Sequence, residues 1–485
     1  MATKHSNMEE NKFKRNINAR DLIFLAFGAM IGWGWVVASG GWIESAGVIG
    51  TVLGFVLGGL MIYFVGLTYA ELTTAMPKSG GEHVFSYRAF GPKGSYICTW
   101  AIILSYVGVV CFEACSLPTI IQYIFPGFLK GYLYSVAGFE VYASWLAVAM
   151  ISAALITYIN ILGVKAAAKL QRVLTAIIAF VGLGLVAVSA INGDSANLTP
   201  QVFVGETNGN IIKNILSVAV IAPFFLFGFD VIPQAAEEIN VPLKKIGRIL
   251  ILSIVLAVGF YALIVLAIGY ALNSQEIAAS VQNTGLVAAD AMAKMCNSST
   301  MAKVLIVGGM CGIMTTWNSF LIGGSRAIFS LSEAGMMPLR FSILHPKYKT
   351  PVKALLLIGV ISMLSPLCGR VMLVWVSNVA SFACCVAYFM VSLSFLLLRR
   401  NDSEMDRPYK VRNSRFVGGM AVVLTVLMIA LYLIPGTGCT MNVQEFCIAG
   451  GWTAMGIAFG LISQKRYRDY RIKTTTLRKA IKKNK

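Results

Sequence analysis

Long runs of apolar residues alternate with short polar segments along almost the whole chain. About twelve of these runs reach the roughly 20 residues that an α-helix needs to cross the hydrocarbon core of a bilayer. We place them at residues 22–47, 48–75, 94–126, 141–161, 170–192, 212–235, 248–272, 302–331, 352–368, 371–398, 416–435 and 445–463. The pattern predicts an all-α integral membrane protein with about 12 transmembrane helices.

Composition agrees with the membrane class and bears on whether the chain can hold a metal site or a catalytic site. Apolar residues make up 57% of the 485 residues and charged residues 13%, and the mean hydropathy is +0.74, which lies outside the range of soluble domains. The ten cysteines form no CxxC pair and the chain has only three histidines. We therefore expect no metal site, no cofactor and no enzymatic activity. Cys439 and Cys447 flank or enter one predicted outer loop, and the spacing leaves a disulfide between them open.

Basic residues are distributed unevenly between the two sides of the predicted membrane. With the N-terminus inside, 35 of the 40 Lys and Arg residues fall in the terminal arms and the inner loops. Because Lys and Arg accumulate on the cytoplasmic side, we expect a multi-pass protein of the plasma membrane with both termini in the cytoplasm. This bias also explains the net charge of +19. The basic tail is expected to contact anionic membrane lipid rather than nucleic acid.

Two of the predicted helices are interrupted. The first contains AMIGWGWVVASGGW at 29–42, where Gly32 and Gly34 weaken the helix. The sixth contains IAPFFLFGFDVIPQAAEEI at 221–239, where two prolines and a glycine surround the charged Asp230. In lipid a broken helix is tolerated only where it is buried in protein or lines a watery cavity.

The two interruptions offer complementary backbone groups. Free N–H groups at the first interruption suit a carboxylate, and free carbonyls at the sixth suit an ammonium group, so together they form a receptor for a zwitterion. Taken singly, such glycines and prolines also serve helix packing and kinking. The first and sixth helices hold corresponding places in two halves of five, which is the sequence pattern of an inverted-repeat transporter.

Four blocks of sequence carry a family resemblance. GAMIGWGWV, AELTTAMPKSGGEHVFSYRAFGP, FFLFGFDVIPQAAEEINVPLKKIGRIL and NSFLIGGSRAIFSLSEAGMMPLRFSILHPKYKTPVKALL resemble, in order, the first, second, sixth and eighth helix signatures of the amino acid, polyamine and organocation (APC) permeases. The resemblance covers residues from about 20 to 400. It implies a leucine-transporter-like, five-plus-five inverted repeat, two extra C-terminal helices, and alternating access around a midplane site.

The expected organisation follows from this repeat. It comprises a cytoplasmic arm at 1–20, a first repeat at 21–192, a second repeat at 193–400, helices 11 and 12 at 401–464 and a basic cytoplasmic tail at 465–485.

The resemblance also implies a substrate site. Backbone groups of the first break take the carboxylate, carbonyls of the sixth helix take the amine, and Phe224 matches an aromatic gate. The candidate substrate-binding residues are Ile31, Gly32, Trp33, Gly34, Trp35, Phe224, Phe225, Phe227, Gly228 and Asp230. Trp33 stands where many members have a small hydroxyl residue. Trp33 and Trp35 therefore either line the site or pack against lipid.

Four residues are candidates for proton or ion coupling. Charged groups inside the membrane are functional candidates by default, and Asp230 is expected to sense protons or to face a cationic part of the substrate. Glu113 either carries a proton or hydrogen bonds to a neighbouring helix. Asn318 and Ser319 either give oxygens to a cation site or serve packing.

These observations favour a secondary active amino acid transporter that works by symport with a proton or sodium ion, or by exchange. A transporter of polyamines or other organic amines is the alternative, although it would require more acids in the site. A sensor without transport activity is less favoured, because neither terminal segment is long enough for a signalling domain.

Overall fold

Helices account for nearly all of the structure, which is a computed structural model that describes residues 13–435 and 440–461. The α-helices in this part of the chain are α1 (Ala19–Met30), α2 (Gly34–Val37), α3 (Ser39–Ala46), α4 (Val48–Ala75), α5 (Glu82–Ile124), α6 (Ala143–Ile161), α7 (Val164–Asn192), α8 (Asn208–Leu226), α9 (Val231–Gln234), α10 (Leu243–Ala271), α11 (Ser274–Asn283), α12 (Val287–Cys296), α13 (Ser299–Glu333), α14 (Val352–Leu364), α15 (Met372–Asn401), α16 (Ser414–Leu433) and α17, described from residue 443 to 461. Short 3-10 helices lie at Pro126–Phe128, Ser195–Asn197, Thr199–Gln201, Ala236–Glu238, Leu339–Ser342 and Ser365–Cys368.

Helices long enough to span a membrane occur along the whole described part of the chain. Among the described residues, 10 helical segments are long and apolar enough to cross a bilayer, and Val352–Cys368 is a shorter apolar helix. Two of the ten, Ala19–Val37 and Asn208–Gln234, consist of two helices separated by a break. The all-α membrane class and both interruptions are therefore confirmed. The disulfide between Cys439 and Cys447 that the sequence left open falls outside the described residues, because these exclude Cys439.

The segments between the long helices differ from the sequence prediction. The third helix was expected to begin at residue 94, but α5 begins at Glu82 and bends at Gly91, whose φ of 75° interrupts the regular helix. The loop after α10 contains α11 and α12, and the loop after α5 contains an antiparallel hairpin of β1 (Tyr132–Val136) and β2 (Phe139–Tyr142). These elements are too short or too polar for a hydropathy pattern to separate them from loops.

The broken helices lie at the centre of the packing. Helix α1 packs against α7, α10 and α13, whereas α8 packs against α4. Helices α5 and α13 are the most enclosed of the membrane-length helices, with 83% and 78% of their apolar windows buried, against 33% for α7 and 33% for α16. Helices α5 and α13 therefore lie in the interior of the protein, and α7 and α16 lie at its periphery.

The segment before α1 is bound to the end of the second broken helix. The N–H groups of Asn16 and Ile17 both donate to the Glu238 carbonyl at 3.0 Å, and Asn240 N–H donates to the Ile17 carbonyl at 2.8 Å. We call the side of the molecule that carries Ile17, Gly80 and Glu238 the N-terminal face. Gly80 belongs to it because its N–H donates to the Gln234 carbonyl just before this segment.

Candidate substrate site between two helix breaks

The first break comprises residues 31–33, between α1 and α2. Ile31 N–H still bonds to the Phe27 carbonyl at 3.0 Å, and Val36 N–H bonds to the Trp33 carbonyl at 2.9 Å. Among the described residues, no hydrogen bond is made by the N–H groups of Gly32 and Trp33. Gly34 begins α2, so its N–H has no acceptor within that helix. The break therefore presents adjacent free donors.

The second break comprises residues 227–230, between α8 and α9. Helix α8 contains Pro223 and ends at Leu226, and Phe227 is extended with φ −68° and ψ 148°. The last carbonyls of α8 consequently lack the helical N–H groups that would follow them. Gly228 has φ 130°, and a Cβ there would lie 2.6 Å from Ala29 Cβ. Only glycine allows the two breaks to approach this closely.

Asp230 is not where the sequence interpretation placed it. Its side chain is completely buried and is not among the residues that line the cavity described below. Oδ1 accepts a hydrogen bond from Gly228 N–H at 2.9 Å, and Oδ2 accepts one from the Tyr106 hydroxyl at 2.8 Å. The carboxylate therefore stabilises the second break and does not line that cavity.

A cavity of about 360 Å³, the central cavity, lies between the two breaks. Seven of the candidate residues line it, namely Gly32, Trp33, Gly34, Glu113, Phe224, Phe225 and Phe227. Ile31, Trp35, Gly228, Asp230, Asn318 and Ser319 do not line it. Its other lining residues include Val37 and Thr440, so the cavity extends away from the N-terminal face.

The two tryptophans of the first break have different surroundings. Trp33 lines the cavity, and its indole lies so close to α13 that a Cβ on Gly309 would be 2.3 Å from the ring. Trp35 is fully buried and makes an edge contact with Phe260 of α10, with ring centroids 5.7 Å apart. Trp33 therefore fills space in the site, whereas Trp35 packs inside the protein and does not face lipid.

Glu113 is the acidic side chain of the cavity wall. It is 3% exposed, and its Oε2 is buried without a hydrogen-bond partner in the described part of the chain. A Cβ on Gly32 would lie 3.8 Å from Glu113 Oε1 and 2.7 Å from the Thr316 hydroxyl. The carboxyl group thus lies beside the free donors of the first break, and the described residues supply neither an ion pair nor a helix-to-helix hydrogen bond for it.

Asn318 and Ser319 are engaged in packing contacts. Asn318 accepts from Asn160 at 2.9 Å and donates to the Gln171 side chain at 2.8 Å, which ties α13 to α6 and α7. The Ser319 hydroxyl donates to the Leu25 carbonyl at 3.3 Å. The packing interpretation of both residues matches this geometry.

Sequence reasoning missed residues that position the first break. The Tyr261 hydroxyl donates to the Met30 carbonyl at 3.0 Å, and Thr316 lines the cavity with its hydroxyl 3.5 Å from the Ala29 carbonyl. Phe320 also lines the cavity. Thr316 and Phe320 are four residues apart and thus share one face of α13, but the sequence does not say which helix that face meets.

The N-terminal face is closed over the cavity by a buried ion pair. Arg326 Nε lies 2.7 Å from Glu238 Oε1, and both side chains are 1% exposed. Phe13 covers this pair, with its ring 5.7 Å from the Arg326 guanidinium and 4.9 Å from the Phe329 ring. In the described structure no residue of this closure lines the central cavity. The cavity is therefore shut on this side.

A second cavity of about 1020 Å³ lies at the N-terminal face, on the other side of this closure. His83, Lys78, Glu237 and Glu333 are among its lining residues. Burial, together with repulsion from Glu333, raises the pKa of Glu237. Glu237 lines this cavity and Glu238 pairs with Arg326, so the two neighbouring acids both lie at the N-terminal face.

The family of the chain follows from sequence comparison. Residues 21–469 match the amino acid permease family model. The chain is 26% identical to the branched-chain amino acid permease BcaP of Bacillus subtilis, over 94% of this chain and 95% of that protein. It is 25% identical to the methylthioribose transporter of that organism over 96% and 97% of the two chains, and 23% identical to its aspartate-proton symporter over 87% and 80%.

The fold and the comparisons together define the class as a multi-pass membrane transporter. The chain belongs to the amino acid permease family, within the APC superfamily.

Proposed function

We propose that this protein is a secondary active transporter of neutral amino acids with apolar side chains. The observation that carries the proposal is the meeting of two helix breaks at one cavity. The free N–H groups of Gly32 and Trp33 lie on one side, and the carbonyl end of α8 lies on the other. Such an arrangement can bind the carboxylate and the ammonium of one amino acid through backbone groups.

The cavity wall favours an apolar side chain. Aromatic and aliphatic residues form most of it, including Val109, Phe112, Ile221 and Phe224, and its described lining contains no Lys, Arg or His. An acidic side chain would therefore find no countercharge, and burying an unpaired charge is costly. A relative of similar length is named for branched-chain amino acids, which agrees with this class.

A polyamine substrate is the second candidate. It would bring two or more positive charges into the cavity, and Glu113 is the carboxyl group in the described lining. Because Asp230 is buried behind the second break, it adds no further charge to the site. This favours an amino acid over a polyamine.

Glu113 is proposed as the proton carrier of the cycle. Its carboxyl lies beside the donors that bind the substrate carboxylate and has no cation partner among the described residues. A protonated Glu113 removes the repulsion between two carboxylates, so substrate and proton would bind together. A relative is named as an aspartate-proton symporter, which shows that proton symport occurs among proteins similar to this one.

Alternating access is proposed to occur through a five-plus-five inverted repeat, with helices 11 and 12 outside it. From the positive-charge bias we infer that the N-terminal face lies in the cytoplasm. The central cavity then opens to the outside in this structure, and the Glu238–Arg326 pair closes the cytoplasmic side. Opening this pair would release the substrate inward.

Counterflow in proteoliposomes tests the function. Vesicles that contain purified protein and an unlabelled amino acid should accumulate the same radiolabelled amino acid, with branched-chain and other apolar substrates fastest. Putrescine outside the vesicles should not compete. Counterflow with putrescine but with no amino acid would refute the proposal in favour of an amine carrier.

A further inference from the structure

A second carboxyl group lies close to the second break and is not part of the central cavity. Glu82, the first residue of α5, is completely buried. Its Oε2 accepts a hydrogen bond from the Gln234 side chain at the end of α9. Asp230 precedes α9 by one residue, so Asp230 and Gln234 are one helical turn apart. The short helix α9 therefore connects two buried carboxyl groups.

This pair of acids has no positive partner. In the part of the chain that the structure describes, neither Glu82 nor Asp230 forms an ion pair, whereas Arg326, Arg399 and Arg407 are paired with other acids. Two like charges buried close together without a cation are unfavourable at low dielectric. At least one of the two carboxyl groups must therefore hold a proton when this face is closed.

Hydrogen bonding distinguishes the two carboxyl groups. Both oxygens of Asp230 receive donors, from Gly228 N–H and from the Tyr106 hydroxyl, which stabilises an anion. Glu82 accepts a hydrogen bond from the Gln234 side chain, and the Tyr69 hydroxyl faces its carboxyl group. By hydrogen-bond geometry, Glu82 Oε1 and the Tyr69 hydroxyl are both buried without a partner among the described residues. The Gln234 Oε1 is also a buried acceptor without a donor. A proton on Glu82 would supply the missing O–H donor.

The groups around Glu82 and Asp230 are hydroxyls, thiols and one imidazole. Facing it are the hydroxyls of Tyr69 on α4, Tyr106 on α5 and Tyr388 on α15, and the thiols of Cys98 on α5 and Cys384 on α15. Next in sequence is His83, whose Nδ1 lies 2.8 Å from the Ser95 hydroxyl and 3.2 Å from that of Thr99. None of these groups supplies a permanent positive charge.

Glu82 is also placed to exchange its proton with the N-terminal face. The following residue, His83, lines the cavity on that face. A Cβ on Gly81 would lie 2.6 Å from Pro233 Cβ, so the start of α5 and α9 are in close contact in this structure. If α9 moves away from α5 as this face opens, Glu82 loses Gln234 and gains water.

We propose that Glu82 is a proton-binding site that is loaded when the N-terminal face is closed and releases its proton to that face when α5 and α9 separate. The inference rests on the proposed transport function, and Asp230 is the anionic partner that makes the proton necessary. Closure of the N-terminal face would then favour proton binding to Glu82, and proton binding to Glu82 would favour closure.

Infrared spectroscopy of the full-length protein in liposomes tests the protonation directly. Spectra in water and deuterium oxide should show the C=O absorption of a buried protonated carboxyl at neutral pH. The spectra are recorded in the Glu113→Gln background, so that this other acid does not contribute. Glu82→Gln should remove the band, and the exposed control Glu44→Gln should leave it. Asp230→Asn removes the anionic partner and should therefore weaken the band at neutral pH. A band that is unchanged by Glu82→Gln would overturn the proposal.

Transport in the same liposomes separates this inference from the proposed function. In an otherwise unchanged chain, Glu82→Gln should retain counterflow. Its uptake should respond less strongly than that of the wild type to a proton gradient, because Glu113 remains as the proposed proton carrier. If wild-type protein shows no amino acid counterflow, the transport function fails and the infrared result concerns protonation alone. If Glu82→Gln responds to the gradient like the wild type, the proton-release role of Glu82 is wrong even though transport stands.

Discussion

Substrate binding is expected to depend on the charge of Glu113. Glu113→Gln keeps the size of the side chain and its ability to hydrogen bond but removes the ionisable group. We expect the wild-type affinity for an amino acid to fall as pH rises, because the ionised Glu113 repels the substrate carboxylate. The affinity of the Gln variant should stay constant over the same range of pH.

The magnitude follows from the geometry of the first break. A Cβ on Gly32 would lie 3.8 Å from Glu113 Oε1. A carboxylate bonded to the N–H of Gly32 or Trp33 then lies on the order of 5 Å from the Glu113 carboxyl. At an effective dielectric constant of about 20, two charges at this distance repel by about 3 kcal/mol, or about a hundredfold in affinity. The substrate ammonium offsets part of this repulsion, so we expect a loss of about ten- to a hundredfold.

Isothermal titration calorimetry of the purified full-length protein measures both the affinity for the amino acid and the number of protons taken up on binding. Titrations in buffers that differ in ionisation enthalpy give the number of protons taken up on binding. The wild type should take up close to one proton per amino acid at alkaline pH, and Glu113→Gln should take up none. Glu44→Gln, an exposed acid, should behave like the wild type. A Gln variant that still loses affinity with rising pH would refute the reasoning.

Three further outcomes are expected. Gly34→Leu should abolish ligand-induced thermal stabilisation, because a Cβ there would lie 2.3 Å from the Phe225 ring. The control Gly41→Leu should retain it, because a Cβ at Gly41 has no atom within 4 Å. Equal stabilisation of the two variants would contradict the assigned site. The amide of the transported amino acid, or its decarboxylated amine, should bind more weakly in competition assays by about 1 to 3 kcal/mol per unpaired group, and equal inhibition would point to an amine carrier. Arg326→Gln should lower the free energy of unfolding by about 3 to 5 kcal/mol, since Glu238 is left buried and unpaired; denaturation of the Arg326→Gln, Glu238→Gln double variant should show a smaller loss.

The hydrophobic pattern was sufficient to predict the class and most helix positions. A helix in lipid must be long and continuously apolar, because each unsatisfied backbone group there is costly. The glycines around Trp33 and the prolines near Asp230 identified the two breaks for the same reason. The observed breaks at residues 31–33 and 227–230 fall where the sequence placed them.

Positions of individual side chains required the tertiary structure. Both Asp230 and Glu113 are acids in apolar helices. The sequence analysis named Asp230 as a substrate-binding candidate and Glu113 only as a candidate for proton coupling. Packing decided between them: Asp230 is enclosed by Gly228 and Tyr106, whereas Glu113 faces the cavity. Hydropathy measures how apolar a segment is. It does not determine which face of a helix meets a cavity, because that depends on contacts between residues far apart in the chain, as between Gly228 and Ala29.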